Sequence, residues 1–150
     1  MKPAPLKDVI KKQYLMCAKD PAYFMKKYCM VQHPMKGKVP FHLYEYQEKS
    51  LQTFEDHRFN IILKARQLGL STLTAGYSLW MMTFHSDKNI LVIATKQDTA
   101  KNLVTKVRVM HANLPSWLKQ KCVEDNKLSL RYKNGSQIKA VSSGEDSGRS

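Results

Sequence analysis

The chain has 150 residues, enough for one domain with a sizeable core. Its 43% hydrophobic content fits a globular protein, and no apolar run approaches the ~20 residues needed to cross a bilayer, so no membrane partner is expected. The 25 basic and 12 acidic residues leave a net charge of +13, which favours partners with phosphate backbones without locating the contact.

The opening "MKPAPLKD" has no secretory apolar segment behind it. The expectation is a protein that stays in the cell in which it is made. Cys17, Cys29 and Cys122 are widely spaced and form no CxxC pair, so reduced, mostly buried thiols are expected rather than a zinc knuckle. His33, His42, His57, His85 and His111 are isolated, which argues against a transition-metal site.

Residues 1–38 read as a helical appendage, and residues 39–150 as the body of the domain. A short helix is expected over 6–17, with Leu6, Ile10, Tyr14 and Cys17 near one face. Asp20 then caps a second helix, because Pro21 fits a first turn without losing a needed hydrogen bond. His33-Pro34 and Gly37 end this region. Residues 39–43 are extended, and a helix from about Tyr44 aligns Gln47, Leu51 and Phe54.

The run "FNIILK", residues 59–64, has the composition of a buried parallel strand. A turn over 65–70 leads into a helix from Ser71 that is apolar on a broad front. "NILVIAT", residues 89–95, reads as a second buried strand. Asp98 is placed to cap the next helix, where Leu103, Val107, Met110 and Leu114 repeat at helical spacing. Pro115 and Trp117 start a short helical turn. Residues 127–133 and 136–141 alternate around Asn134-Gly135, a hairpin signal. Strand, helix, strand, helix and hairpin in this order give an α/β fold. The polar tail "SSGEDSGRS" adds no closing apolar element, and a sheet of this kind normally needs more central strands; the expectation is part of a longer domain, the alternative a small complete domain with a frayed tail.

"NIILKARQLGLST", residues 60–72, carries the chemistry. A strand, a tight loop and a helix N-terminus converge donors on a phosphate. Against the spacing GxxxxGK[ST], Gly69 and Ser71 match, but Lys64 holds the first glycine position and Leu70 the lysine position. Lys64 lies at the mouth of the loop and could fold back to the β- and γ-phosphates. Gly69 would let the backbone turn close to phosphate, and the Ser71 hydroxyl would bind magnesium. Thr72 would support the helix start, and Arg66 would carry charge from the crown formed with Ala65, Gln67 and Leu68. Upstream, Tyr46 could cover an adenine ring and Gln47 bond its edges; the plainer reading has Tyr46 in the core and Gln47 on the surface. Hydrolysis also needs a magnesium acid and a residue that positions water. Of the acids after Ser71, namely Asp87, Asp98, Glu124, Asp125, Glu145 and Asp146, none follows a long apolar strand as an Asp-Glu pair.

Together these segments resemble the N-terminal ATPase region of a tailed-bacteriophage terminase large subunit, the motor that packages DNA. "LYEYQEKSLQ" is similar to that family's adenine-recognising segment, "LKARQLGLST" to its Walker A loop, and "NILVIATKQDTAKNLVTKV" to the strand and helix that follow. "SSGEDSGRS" resembles the stretch before its Walker B strand, where Arg149 would match a functional arginine. The resemblance covers residues 40 to 150. It implies a partial RecA-like P-loop NTPase fold of the additional-strand type, cut before Walker B. It implies ATP and Mg2+ as cofactors and double-stranded DNA, a portal protein and a small terminase subunit as partners. It also implies a homo-oligomer in the complete motor, a nuclease domain in the parent protein, and work in the host cytoplasm and transiently at the procapsid portal. Lys64, Arg66 and Arg149 would be its catalytic cations; on its own, residues 1–150 would hydrolyse ATP very slowly or not at all. A helicase-like P-loop translocase and a basic nucleic-acid-binding protein without enzymatic chemistry remain the alternatives.

Overall fold

The computed structural model describes residues 5–143; Arg149, Glu145 and Asp146 lie outside them. Helix α1 (Leu6–Lys19) leads directly into α2 (Pro21–Tyr28), where the Asp20 carboxylate accepts the Tyr23 amide at 3.0 Å. The expected cap and the proline first turn are both present. The stretch after α2 is a hairpin that the sequence did not announce: β1 (Met30–His33) pairs antiparallel with β2 (Gly37–Pro40). His33 Nδ1 closes its turn by accepting the Met35 and Lys36 amides, both at 3.1 Å, and Gly37 takes a φ of 70° there.

Helix α3 (Glu45–Asp56) follows, then α4 (Leu70–Phe84). α4 is the hub of the core. Leu73, Ala75, Leu79 and Met82 are wholly buried, because the helix packs against α2, α3 and the later helix α5 (Gln97–Ala112). This explains the broad apolar front in its sequence. α2 crosses so closely that a Cβ on Gly76 would meet Met25 Sδ at 2.8 Å. Trp80 Nε1 donates to the Cys17 carbonyl at 2.8 Å and ties α1 to the same helix.

The main sheet has the order β3 (Asn89–Ala94), β6 (Gln137–Ser142), β5 (Ser129–Tyr132), β4 (Cys122–Asp125). β3 and β6 are parallel, and the rest is antiparallel. α5 lies on β3, β5 and β6. The hairpin at Asn134-Gly135 forms as its sequence indicates, with Gly135 at φ 85°. Asn134 has a second use: its Nδ2 donates to the Met82 and His85 carbonyls at 2.8 and 3.3 Å, closing the C-terminus of α4.

Three expectations need correction. Residues 59–64 form no strand and are not buried; Ile61 and Leu63 are fully exposed. An apolar strand is buried only if neighbours pair with it, and no strand among the described residues does. Second, "NILVIAT" forms a strand, but at the end of the sheet, with Leu91 and Ile93 about half exposed. Third, Asp98 is not the cap of α5. Lys96 holds that position and Asp98 sits in the first turn, where a carboxylate still complements the helix dipole. Cys17, Cys29 and Cys122 are free, the first two buried, and burial raises the Cys17 thiol to about 11.

Two outcomes follow from this packing. In hydrogen exchange on the 150-residue chain, amides of residues 59–64 should exchange in the fastest class, while those around Val104 and Val107 persist. The second concerns His111, which stacks on Tyr132 at 4.7 Å and contacts the Gln120 carbonyl at 2.9 Å. Burial lowers its pKa from the ordinary 6.5. The neutral ring is therefore favoured in the folded chain, and its contribution is whole above about pH 6.5 and lost as pH falls below it. Urea midpoints should drop between about pH 7.5 and about pH 5.5, and less steeply in His111→Gln.

Candidate functional site

The loop before α4 is shaped from two sides. On its own side Gln67 and Gly69 both take positive φ, 63° and 68°. Gly69 is the N-cap of α4, and no side chain caps this end. Its carbonyl accepts the Thr72 and Leu73 amides at 3.0 and 2.9 Å, starting the helix and leaving the first-turn donors facing outward. From the other side, the start of α3 grips the crown. Tyr46 Oη and Gln47 Nε2 both donate to the Leu68 carbonyl, at 2.7 and 3.2 Å.

Gln47 is 2% exposed, and its Oε1 accepts the Tyr44 amide at 3.0 Å. Both ends of its amide are therefore engaged. The plainer sequence reading is reversed, for Gln47 is the buried residue and Tyr46 the exposed one. Burying an amide is costly unless its donors and acceptors are met, and here the loop meets them. The same closeness fixes Gly69: a Cβ would lie 2.7 Å from Gln47 Nε2. Tyr44 stacks on Tyr46 at 5.6 Å, giving an exposed aromatic pair beside the loop.

The remaining residues divide by what they touch. Leu70, in the usual lysine position, is buried in the core and can offer no charge. Lys64 is exposed and donates to the Ala65 carbonyl at 3.1 Å; it lies on the loop and not over the helix end. Ala65 and Arg66 are exposed. Ser71 is exposed and its hydroxyl makes no hydrogen bond among the described residues. Thr72 Oγ1 accepts Lys106 Nζ at 2.7 Å. That contact from α5 was not legible in the sequence, since nothing distinguishes Lys106 from the other lysines until α5 is laid beside α4. Among the described residues no group of three or more His, Cys, Asp or Glu is placed to hold a metal ion. Asp125 is engaged by Arg108 at 2.5 Å, and Glu124 by the Ser129 hydroxyl.

Gly69→Ala should damage the loop twice, through the left-handed backbone and through the Gln47 amide. A loss of about 1–3 kcal/mol in denaturant unfolding is expected, with faster exchange at the Leu68–Ser71 amides.

No known family model matches the chain. Among solved structures, its fold is similar to the crystal structure of the HK97 bacteriophage large terminase, with a TM-score of 0.67 and 19% sequence identity. The match takes in 89% of this chain and 28% of that one, so the chain spans little more than a quarter of that protein's length. The chain thus has an α/β fold that distantly resembles part of a terminase large subunit.

Proposed function

We propose that the chain is the N-terminal ATPase portion of a phage terminase large subunit, with residues 64–72 binding MgATP to power packaging of double-stranded DNA. The observation that carries this is the left-handed Gly69 at an uncapped helix end, held rigid by Gln47. Such an end presents free amides and a positive dipole to an anion. The flanking residues supply what a triphosphate needs. Lys64 swings from the Ala65 carbonyl to the β- and γ-phosphates, Arg66 adds charge from the crown, and Ala65, Gln67 and Leu68 shape it. Ser71 takes magnesium through its free hydroxyl, and Thr72 supports the first turn.

Tyr46 and Gln47 stand on the adenine side. Gln47 acts first by fixing the loop, because contact with a base would require it to exchange the bonds it already makes. Residues 1–38 serve as an N-terminal appendage and 39–150 as the beginning of the ATPase domain. In the longer protein implied by this reading, a later strand brings the magnesium acid and the catalytic glutamate, and a separate domain carries the nuclease. Arg149 acts at that junction, and the complete subunits assemble around DNA with a portal protein and a small terminase subunit. Residues 1–150 alone bind nucleotide and turn it over very slowly or not at all.

Millimolar MgATP should protect the amides of residues 64–72 from hydrogen exchange. Lys64→Ala should weaken nucleotide binding by about tenfold or more, as expected for loss of a charge-assisted bond. Absence of protection in the native sequence, or DNA binding with no response to ATP or to Lys64→Ala, would sink the proposal in favour of simple basic nucleic-acid binding.

A further inference from the structure

Resting on nucleotide binding at residues 64–72, we infer that Lys106 of α5 is a second phosphate-contacting cation of that site. It reaches the first turn of α4 from α5 and supplies charge that the buried Leu70 cannot. The placement is specific. Asn102, Thr105, Lys106 and Val109 follow helical spacing along one face of α5 and line a cleft of about 380 Å³, which Thr72 of α4 and Val31 of β1 also line. Lys106 and Thr72 therefore meet at this cleft, and Thr72 belongs to the first turn of α4.

The electrostatics point the same way. Lys106 forms no ion pair among the described residues, and its bonded partner is a neutral hydroxyl, Thr72 Oγ1 at 2.7 Å. An ammonium group beside the positive end of a helix is in an unfavourable field. Lys64 and Arg66 add to it from the same loop. Lys106 meets the first turn of α4 at Thr72, Lys64 and Arg66 sit on the loop before that turn, and no described carboxylate pairs with any of the three. A phosphate group bound at the first turn of α4 would offset the charge that Lys106 brings to that helix end. With the lysine position of the loop filled by a buried leucine, Lys64 from the loop and Lys106 from α5 would both supply charge to the anion.

The test is titration of the 150-residue chain with a fluorescent MgATP analogue, alongside thermal melting without nucleotide. Lys106→Gln, one atom shorter, keeps a donor for Thr72 but removes the charge. Its affinity should fall about tenfold, while its nucleotide-free melting temperature should stay the same or rise, because an unfavourable charge has gone. Lys106→Arg should retain affinity, and Lys101→Gln, on the same helix outside the cleft, should bind as the native sequence does. If Lys106→Gln binds normally while Lys64→Ala is weakened, the role of Lys106 is overturned and the nucleotide site stands. A lower melting temperature that accompanies the weaker binding would make Lys106 a packing residue and overturn the inference. No binding by the native chain would overturn both.

Discussion

One carbonyl organises the candidate site. Leu68 receives two side-chain donors from the first turn of α3, and one of them belongs to a buried glutamine that has no other outlet for its NH2 group. A buried amide left without a partner costs about 1–3 kcal/mol, so Gln47 and the crown are mutually obliged. The loop cannot lift without stranding Gln47, and Gln47 cannot turn away without freeing the loop. The glycine at 69 follows from this embrace, since any larger residue would stand where the amide sits. The direction of α4, and with it the field at its start, is set by the same few atoms.

α4 carries that local order into the rest of the molecule. Its N-terminus is fixed by α3 through the crown, its middle by α2 at Gly76, and its C-terminus by Asn134 from the β5–β6 turn. α5 joins it to the sheet. A perturbation at either end therefore has a rigid path to the other, through a helix whose core-facing residues are wholly buried. The loop and the β5–β6 hairpin are thus joined to opposite ends of one helix.

Much of this was legible in the sequence where the signal was local. Asp20-Pro21, Asn134-Gly135 and the spacing of Val107 and Met110 each depend on neighbours a few residues away, and each appears as expected, whereas Leu114 is buried but lies past the end of α5. The failures share another cause. Residues 59–64 have the composition of a buried strand, yet burial is a property of partners, and composition cannot supply them. Asp98 looks like a cap, but the helix is capped two residues earlier, at Lys96, and a carboxylate is accepted at either place. The hairpin of β1 and β2 is held by one histidine and one glycine, too little for a periodic signal. Gln47 and Lys106 make contacts 21 and 34 residues away, which no short window contains.

The bare apolar run from Phe59 to Leu63 and the open edge of β3 have a colloidal consequence. Both surfaces invite sheet-like association between copies, while a net charge of +13 holds copies apart. The balance belongs to the solvent as much as to the polypeptide: at 0.15 M salt the repulsion reaches only about 8 Å. Adding salt to suppress adhesion to nucleic acid would at the same moment remove the barrier to self-adhesion, so solubility and freedom from bound polyanions pull the choice of buffer in opposite directions.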